Sequence, residues 1–102
     1  MRTVAIVGAG ALGLYYGARL ARSGRDVAFL ARGELASLRE RGATISYPGT
    51  RYTLRPVRAC AAPEEIGPVD LVVIGLKATA NDALARLLPP LLGPDTAVLN
   101  LQ

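Results

Sequence analysis

Three glycines, Gly8, Gly10 and Gly13, stand in the spacing G-x-G-x-x-G within the run Gly8-Ala9-Gly10-Ala11-Leu12-Gly13. That spacing suits one task, holding a phosphate-bearing ligand against bare backbone. The first glycine permits a tight turn, the second lets a pyrophosphate approach the main chain, and the third lets a helix lie close on a strand. A helix opening at this point presents unbonded N–H groups and the positive end of its dipole, which together attract an anion. Two cations stand where a dinucleotide would need them. Arg32 lies just past a second apolar run, and Lys77, the one lysine among the twelve basic residues, lies just past a third.

The glycine spacing alone is a weak signal, because an ordinary strand-to-helix turn of small residues shares it. Its surroundings carry the argument. Val4, Ala5, Ile6 and Val7 form an uninterrupted apolar run, the pattern of a strand buried on both faces of a parallel sheet. A helix is expected from about Ala11 to Ala21, stopping at Ser23-Gly24 with Gly24 in the left-handed conformation. Gly13, Gly17 and Ala21 stand four residues apart and give that helix one face almost free of bulk, so it can lie tightly on the sheet. Val27 to Ala31 is the next strand and completes a βαβ unit.

The end of that second strand bears on the choice of cofactor. A carboxylate there would accept hydrogen bonds from the adenosine ribose of NAD. Ala31-Arg32-Gly33 offers a guanidinium instead, which favours the 2′-phosphate of NADP. Glu34 follows beyond a glycine, at the opening of a short helix expected over Glu34 to Arg41 with Leu35 and Leu38 on its buried side.

Thr44 to Tyr47 and Tyr52 to Leu54 alternate around Pro48-Gly49 and predict a hairpin, read as edge decoration between the second and third parallel strands. Ala62 to Gly67 reads as a loop or a short helical turn, with Cys60 before it as an inert small residue. Val69 to Gly75 is the third parallel strand, and Leu76-Lys77-Ala78 stands at its carboxyl end, the ligand edge of an open α/β sheet. At such an edge Lys77 can contact a ligand, although a strand-end lysine can equally extend into solvent. Thr79 and Asp82 form a capping pair for a helix carrying Ala83, Leu84, Leu87 and Leu88. Pro94-Asp95 turns the chain into a last strand over Thr96 to Leu101.

Composition narrows the function classes. With 102 residues, 51% hydrophobic and 20% charged, the chain is one small α/β domain and not a disordered one. Cys60 is the single cysteine and histidine is absent, so an intrachain disulfide, histidine-based metal sites and histidine-containing triads are excluded within this chain. No metal site and no catalytic residue are assigned. The net charge of +4 comes from arginines scattered along the chain with few aromatics between them, which fits solvated surface and an anionic cofactor better than nucleic acid. No apolar run reaches membrane-spanning length, and a cytoplasmic location is expected.

Gly8 to Gly13 with Gly17, the Leu30-Ala31-Arg32 strand end, Leu76-Lys77-Ala78 and the closing Leu99 to Gln102 together resemble the N-terminal domain of ketopantoate reductase, the 2-dehydropantoate 2-reductase family. The resemblance covers nearly the whole chain. It implies a Rossmann-like parallel sheet with helices on both faces, truncated before a C-terminal helical domain. It also implies an enzyme that uses NADPH to reduce the ketone of a 2-oxo acid on the way to pantothenate. By position, Gly8, Ala9, Gly10, Ala11, Leu12 and Gly13 would cradle the pyrophosphate, Arg32 would take the 2′-phosphate, and Lys77 would lie beside the nicotinamide ribose and the substrate. The family's Asn-Gly would fall just beyond Gln102, which makes Asn100 a strand residue, and the catalytic lysine and the acidic residue that grips substrate would belong to the second domain. Two further expectations follow. A sheet cut after its first half should self-associate through its uncovered edge, and a non-catalytic NADP(H)-binding regulatory module is the alternative reading.

Overall fold

A computed structural model describes residues 2–76 and 82–102. The elements are β1 (Thr3–Val7), α1 (Ala11–Arg22), β2 (Asp26–Leu30), α2 (Leu35–Arg41), β3 (Ala43–Tyr47), β4 (Thr50–Leu54), β5 (Arg58–Cys60), β6 (Val69–Ile74), α3 (Leu84–Leu87) and β7 (Leu92–Asn100). Five of the seven strands form one sheet in the order β5-β2-β1-β6-β7, and each pairing in it is parallel. β1 lies at the centre, in register from Thr3 with Asp26 to Val7 with Leu30, so the glycine run begins at the carboxyl edge where β2 also ends.

Beyond Thr3, Asp26 and Asp70 near their starts, the central strands β1, β2 and β6 are apolar, because both sheet faces are covered. Val4 and Ile6 join Phe29, Ala18 and Leu38 in one core, while Ala5 and Val7 join Leu30, Val72, Ile74 and Leu91 in another. The period of two along β1 therefore divides the molecule into two layers of packing around the sheet. Helix α1 rests on the first face. An added Cβ at Gly17 would lie 2.5 Å from the Phe29 ring and 2.9 Å from Ile6, so the smooth helix face expected from Gly13, Gly17 and Ala21 serves this close approach. Gly24 ends the helix region with φ +95, as expected.

Three elements differ from expectation. Arg58–Cys60 is a third parallel strand, pairing with β2 from Ala28 with Arg58 to Leu30 with Cys60; three residues are too short a run to show as a pattern. The hairpin β3–β4 is antiparallel as expected, but it is not edge decoration. It forms its own small sheet, and Ala43 and Ile45 are buried in the same core as Phe29. The last strand begins at Leu92, not after Pro94-Asp95. Val69 pairs with Leu92 and Leu71 with Ala97, so the proline and aspartate are accommodated in an irregularity within the strand. Thr96 secures it, its Oγ1 donating to the Val69 carbonyl at 2.6 Å and accepting from the Gly93 N–H at 2.7 Å. Asn100 is a strand residue, paired with Ile74. Lys77 and Thr79 lie outside the described residues, and among those that are described no helix is long and apolar enough to cross a membrane.

Candidate functional site

Between the carboxyl ends of β1, β2 and β6 lies a groove of about 360 Å³. Gly8, Ala9 and Gly10 form its floor. Arg32, Gly33 and Glu34 line it from the β2 end, Gly75 and Leu76 from the β6 end, and Ala83, Arg86 and Leu87 from the α3 side. The loop is tied to both neighbouring strands. The Gly8 N–H donates to the Leu30 carbonyl at 3.2 Å, and the Gly75 N–H donates to the Val7 carbonyl at 2.8 Å.

The structure itself requires two of the three motif glycines. Gly8 has φ +99, and a Cβ there would lie 2.8 Å from the Leu76 side chain and 3.0 Å from its backbone nitrogen. A Cβ on Gly13 would collide with the Gly8 carbonyl oxygen, and one on Gly75 would lie 3.2 Å from the Gly13 Cα. These contacts explain Gly8, Gly13 and Gly75 by the protein's own packing. Gly10 is the exception, for nothing lies within 4 Å of the place its Cβ would occupy. Packing within the described residues therefore does not account for a glycine here, and its backbone stays open to approach at the first turn of α1.

That first turn is open to an anion. Gly10 is the N-cap residue, no side chain caps the helix, and no acidic residue lies in the first turn. The leading N–H groups have no carbonyl earlier in the helix to bond, and no acidic side chain of the first turn offsets the positive dipole end. A diphosphate fits this donor set, and Ala11 and Leu12, both exposed, stand beside it. Arg32 is exposed in the same groove, and among the described residues its guanidinium has no hydrogen-bond or ion-pair partner. Its backbone N–H makes a long 3.4 Å bond to Glu34 Oε1. Beside the groove, the backbone N–H groups of Ala62 and Ala61 bond the Glu65 carboxylate at 2.9 and 2.8 Å and hold its pKa below the usual carboxylate range.

The structure thus brings Gly8, Ala9, Gly10 and Arg32 to one groove, whereas Ala11, Leu12 and Gly13, in the first turn of α1, are not among its lining residues. Gly75, Glu34 and Arg86 were not assigned to the site from sequence. A glycine ending a buried apolar run was the available signal for Gly75. Nothing in the local pattern marked Arg86, whose place depends on how α3 folds back over the sheet edge.

A family profile described as "Ketopantoate reductase PanE/ApbA" matches residues 4–102. A 2-dehydropantoate 2-reductase of Nostoc sp. is 40% identical over 101 residues, an alignment that covers 99% of this chain and 32% of that protein. The crystal structure of 2-dehydropantoate 2-reductase from Geobacter metallireducens superposes with a TM-score of 0.94 at 49% identity, covering 98% of this chain and 33% of the other. A ternary structure of D-mandelate dehydrogenase with NADH and anilino(oxo)acetate superposes with a TM-score of 0.85 at 26% identity, covering 97% and 33%. The chain therefore spans about a third of the length of these relatives. With the nucleotide-binding architecture, the glycine loop and the profile match in agreement, the chain belongs to the ketopantoate reductase family.

Proposed function

We propose that this chain is the NADPH-binding portion of a longer reductase of the 2-dehydropantoate 2-reductase type. The observation that carries this reading is the open backbone at Gly10, facing an uncapped helix start, with the Arg32 guanidinium unpaired in the same groove. In this reading the pyrophosphate rests on Gly8 to Gly13 and the adenosine 2′-phosphate on Arg32. Lys77, two residues after Gly75 in the sequence and outside the described residues, would by the family resemblance serve beside the nicotinamide ribose and the substrate. The nicotinamide supplies a hydride to the ketone of a 2-oxo acid, giving the 2-hydroxy acid. The chain's own part is to fix the cofactor's position and leave the nicotinamide facing the substrate. The groups that grip the substrate and donate a proton to the forming alkoxide belong to the portion of the relatives outside this chain's span.

NADPH preference rests on Arg32, because the loop contacts are common to both nicotinamide cofactors. A charge-assisted bond to the 2′-phosphate contributes about 1.5 to 3 kcal/mol, or roughly ten- to hundredfold in affinity. Calorimetric titration of NADPH and NADH into the wild type and Arg32→Ala tests this. The variant should lose most of the preference by binding NADPH more weakly while NADH binding stays the same. Equal weakening of both would make Arg32 a general electrostatic residue and remove the 2′-phosphate assignment.

A further inference from the structure

We infer that Glu34 sets the size of the NADPH preference by opposing Arg32 within the same groove. This rests on the cofactor reading above and adds to it a residue of opposite sign. Glu34 flanks the start of α2, yet its side chain makes no cap bond to that helix. Its carboxylate turns back toward the strand end, where Oε1 accepts the long 3.4 Å bond from the Arg32 backbone N–H. Glu34 and the Arg32 guanidinium line one groove together with Arg86, and no ion pair joins the carboxylate to either cation among the described residues. Among the described residues, no cation within ion-pair distance neutralises it.

An ionised carboxylate only accepts hydrogen bonds. The unmodified ribose of NADH offers two hydroxyl donors, which a carboxylate at this strand end can accept. The 2′-phosphate of NADPH replaces one donor with a group of about two negative charges, which has only acceptors to offer and repels the carboxylate. One side chain thus favours NADH and opposes NADPH, while Arg32 two residues earlier does the reverse. The preference becomes the difference between the two.

Glu34→Gln keeps the size of the side chain and removes the charge, and Glu34→Ala removes the acceptor as well. For both variants the ratio of the NADH to the NADPH dissociation constant should rise by about two- to fivefold, the range of an exposed, screened charge pair. NADPH binding itself should tighten, and the change should shrink at high salt. Thermal unfolding should show both variants folded. An unchanged ratio, or an equal shift for both cofactors, would overturn the inference and leave Glu34 as a helix-flanking residue. The same titrations separate this from the parent reading. If Arg32→Ala loses the preference while Glu34→Gln leaves it unchanged, only the inference falls; if the wild type binds neither cofactor, both fall.

Discussion

The two ends of α1 are built in opposite ways. At its C-terminal end the last turn carries Arg19 and Arg22, and Ser23 Oγ donates to the Leu20 carbonyl at 2.6 Å. The Arg22 guanidinium lies 4.0 Å from the centre of the Tyr52 ring, Arg19 donates to the Tyr15 hydroxyl at 3.1 Å, and Tyr15 meets Tyr47 edge-on at 5.4 Å. Cations complement the negative dipole end there, and aromatic contacts fasten the β3–β4 hairpin to the helix. The N-terminal end has no cap side chain and no acidic residue in its first turn, and among the described residues nothing lies within 4 Å of where a Gly10 Cβ would be. One end satisfies its polar groups internally, and the other presents them. In the proposed reading, the bare end is where the cofactor's pyrophosphate would complete the structure.

Substitutions at the two ends should separate stability from binding. The largest loss is expected from Gly13→Ala, because the added methyl meets the Gly8 carbonyl, a backbone atom held in the loop. Overpacking of this kind costs about 3 kcal/mol, measurable by urea unfolding, and should abolish NADPH binding as well. Gly10→Ala should behave differently. With nothing within 4 Å of its Cβ, it should change unfolding by under about 1 kcal/mol yet weaken NADPH by tenfold or more, roughly one lost contact. If Gly10→Ala binds NADPH as the wild type does, the open backbone is not the ligand's seat.

At the other end the pattern should invert. Arg22→Ala removes a cation over an aromatic ring and should lower stability by about 0.5 to 1 kcal/mol without altering cofactor affinity. Tyr52→Phe removes a hydroxyl that is buried without a partner among the described residues, so its removal should be neutral or stabilising by up to about 1 kcal/mol. A destabilised Tyr52→Phe would mean that the hydroxyl has a partner, such as bound water.

The smallest effect concerns acid. The Asp70 carboxylate accepts from the Arg2 and Thr3 N–H groups at 2.9 and 3.1 Å, which lowers its pKa, as the Ala62 and Ala61 N–H groups lower that of Glu65. A carboxylate with a depressed folded-state pKa binds its proton more readily when unfolded. Its contribution is therefore present above the ordinary carboxylate pKa and is lost as pH falls through the lower folded-state value. Asp70→Asn should lower stability slightly at neutral pH, where the ionised carboxylate contributes, and so flatten the acid limb of a thermal-stability profile, with cofactor affinity little changed.

How much of this was legible beforehand follows from which interactions are local. The βαβ unit could be read because Val4 to Val7 and Val27 to Leu30 are unbroken apolar runs, and Gly24 falls where a helix of that length must stop. The turn of the glycine loop could be read because positive φ at Gly8 and close approach at Gly13 demand glycine at fixed spacing. The short β5 could not, since Arg58, Ala59 and Cys60 become a strand only through pairing with β2. Nor could the packing role of the hairpin, because Tyr47 and Tyr52 meet α1 only in three dimensions. Within the site, the same distinction separates Gly10, marked by its motif, from Gly75 and Arg86, which reach the groove by long-range folding.

The contrast between the two helix ends can be measured residue by residue. Backbone amide resonances of the isotopically labelled protein, followed during titration with NADPH, report which N–H groups meet the ligand. The account predicts large, saturable shifts at Gly10, Ala11, Leu12 and Gly13 and at Arg32, with Arg22, Ser23 and Tyr52 scarcely moving. Shifts concentrated at the Arg22 and Tyr52 end, or none at Gly10 to Gly13 under saturating NADPH, would contradict it.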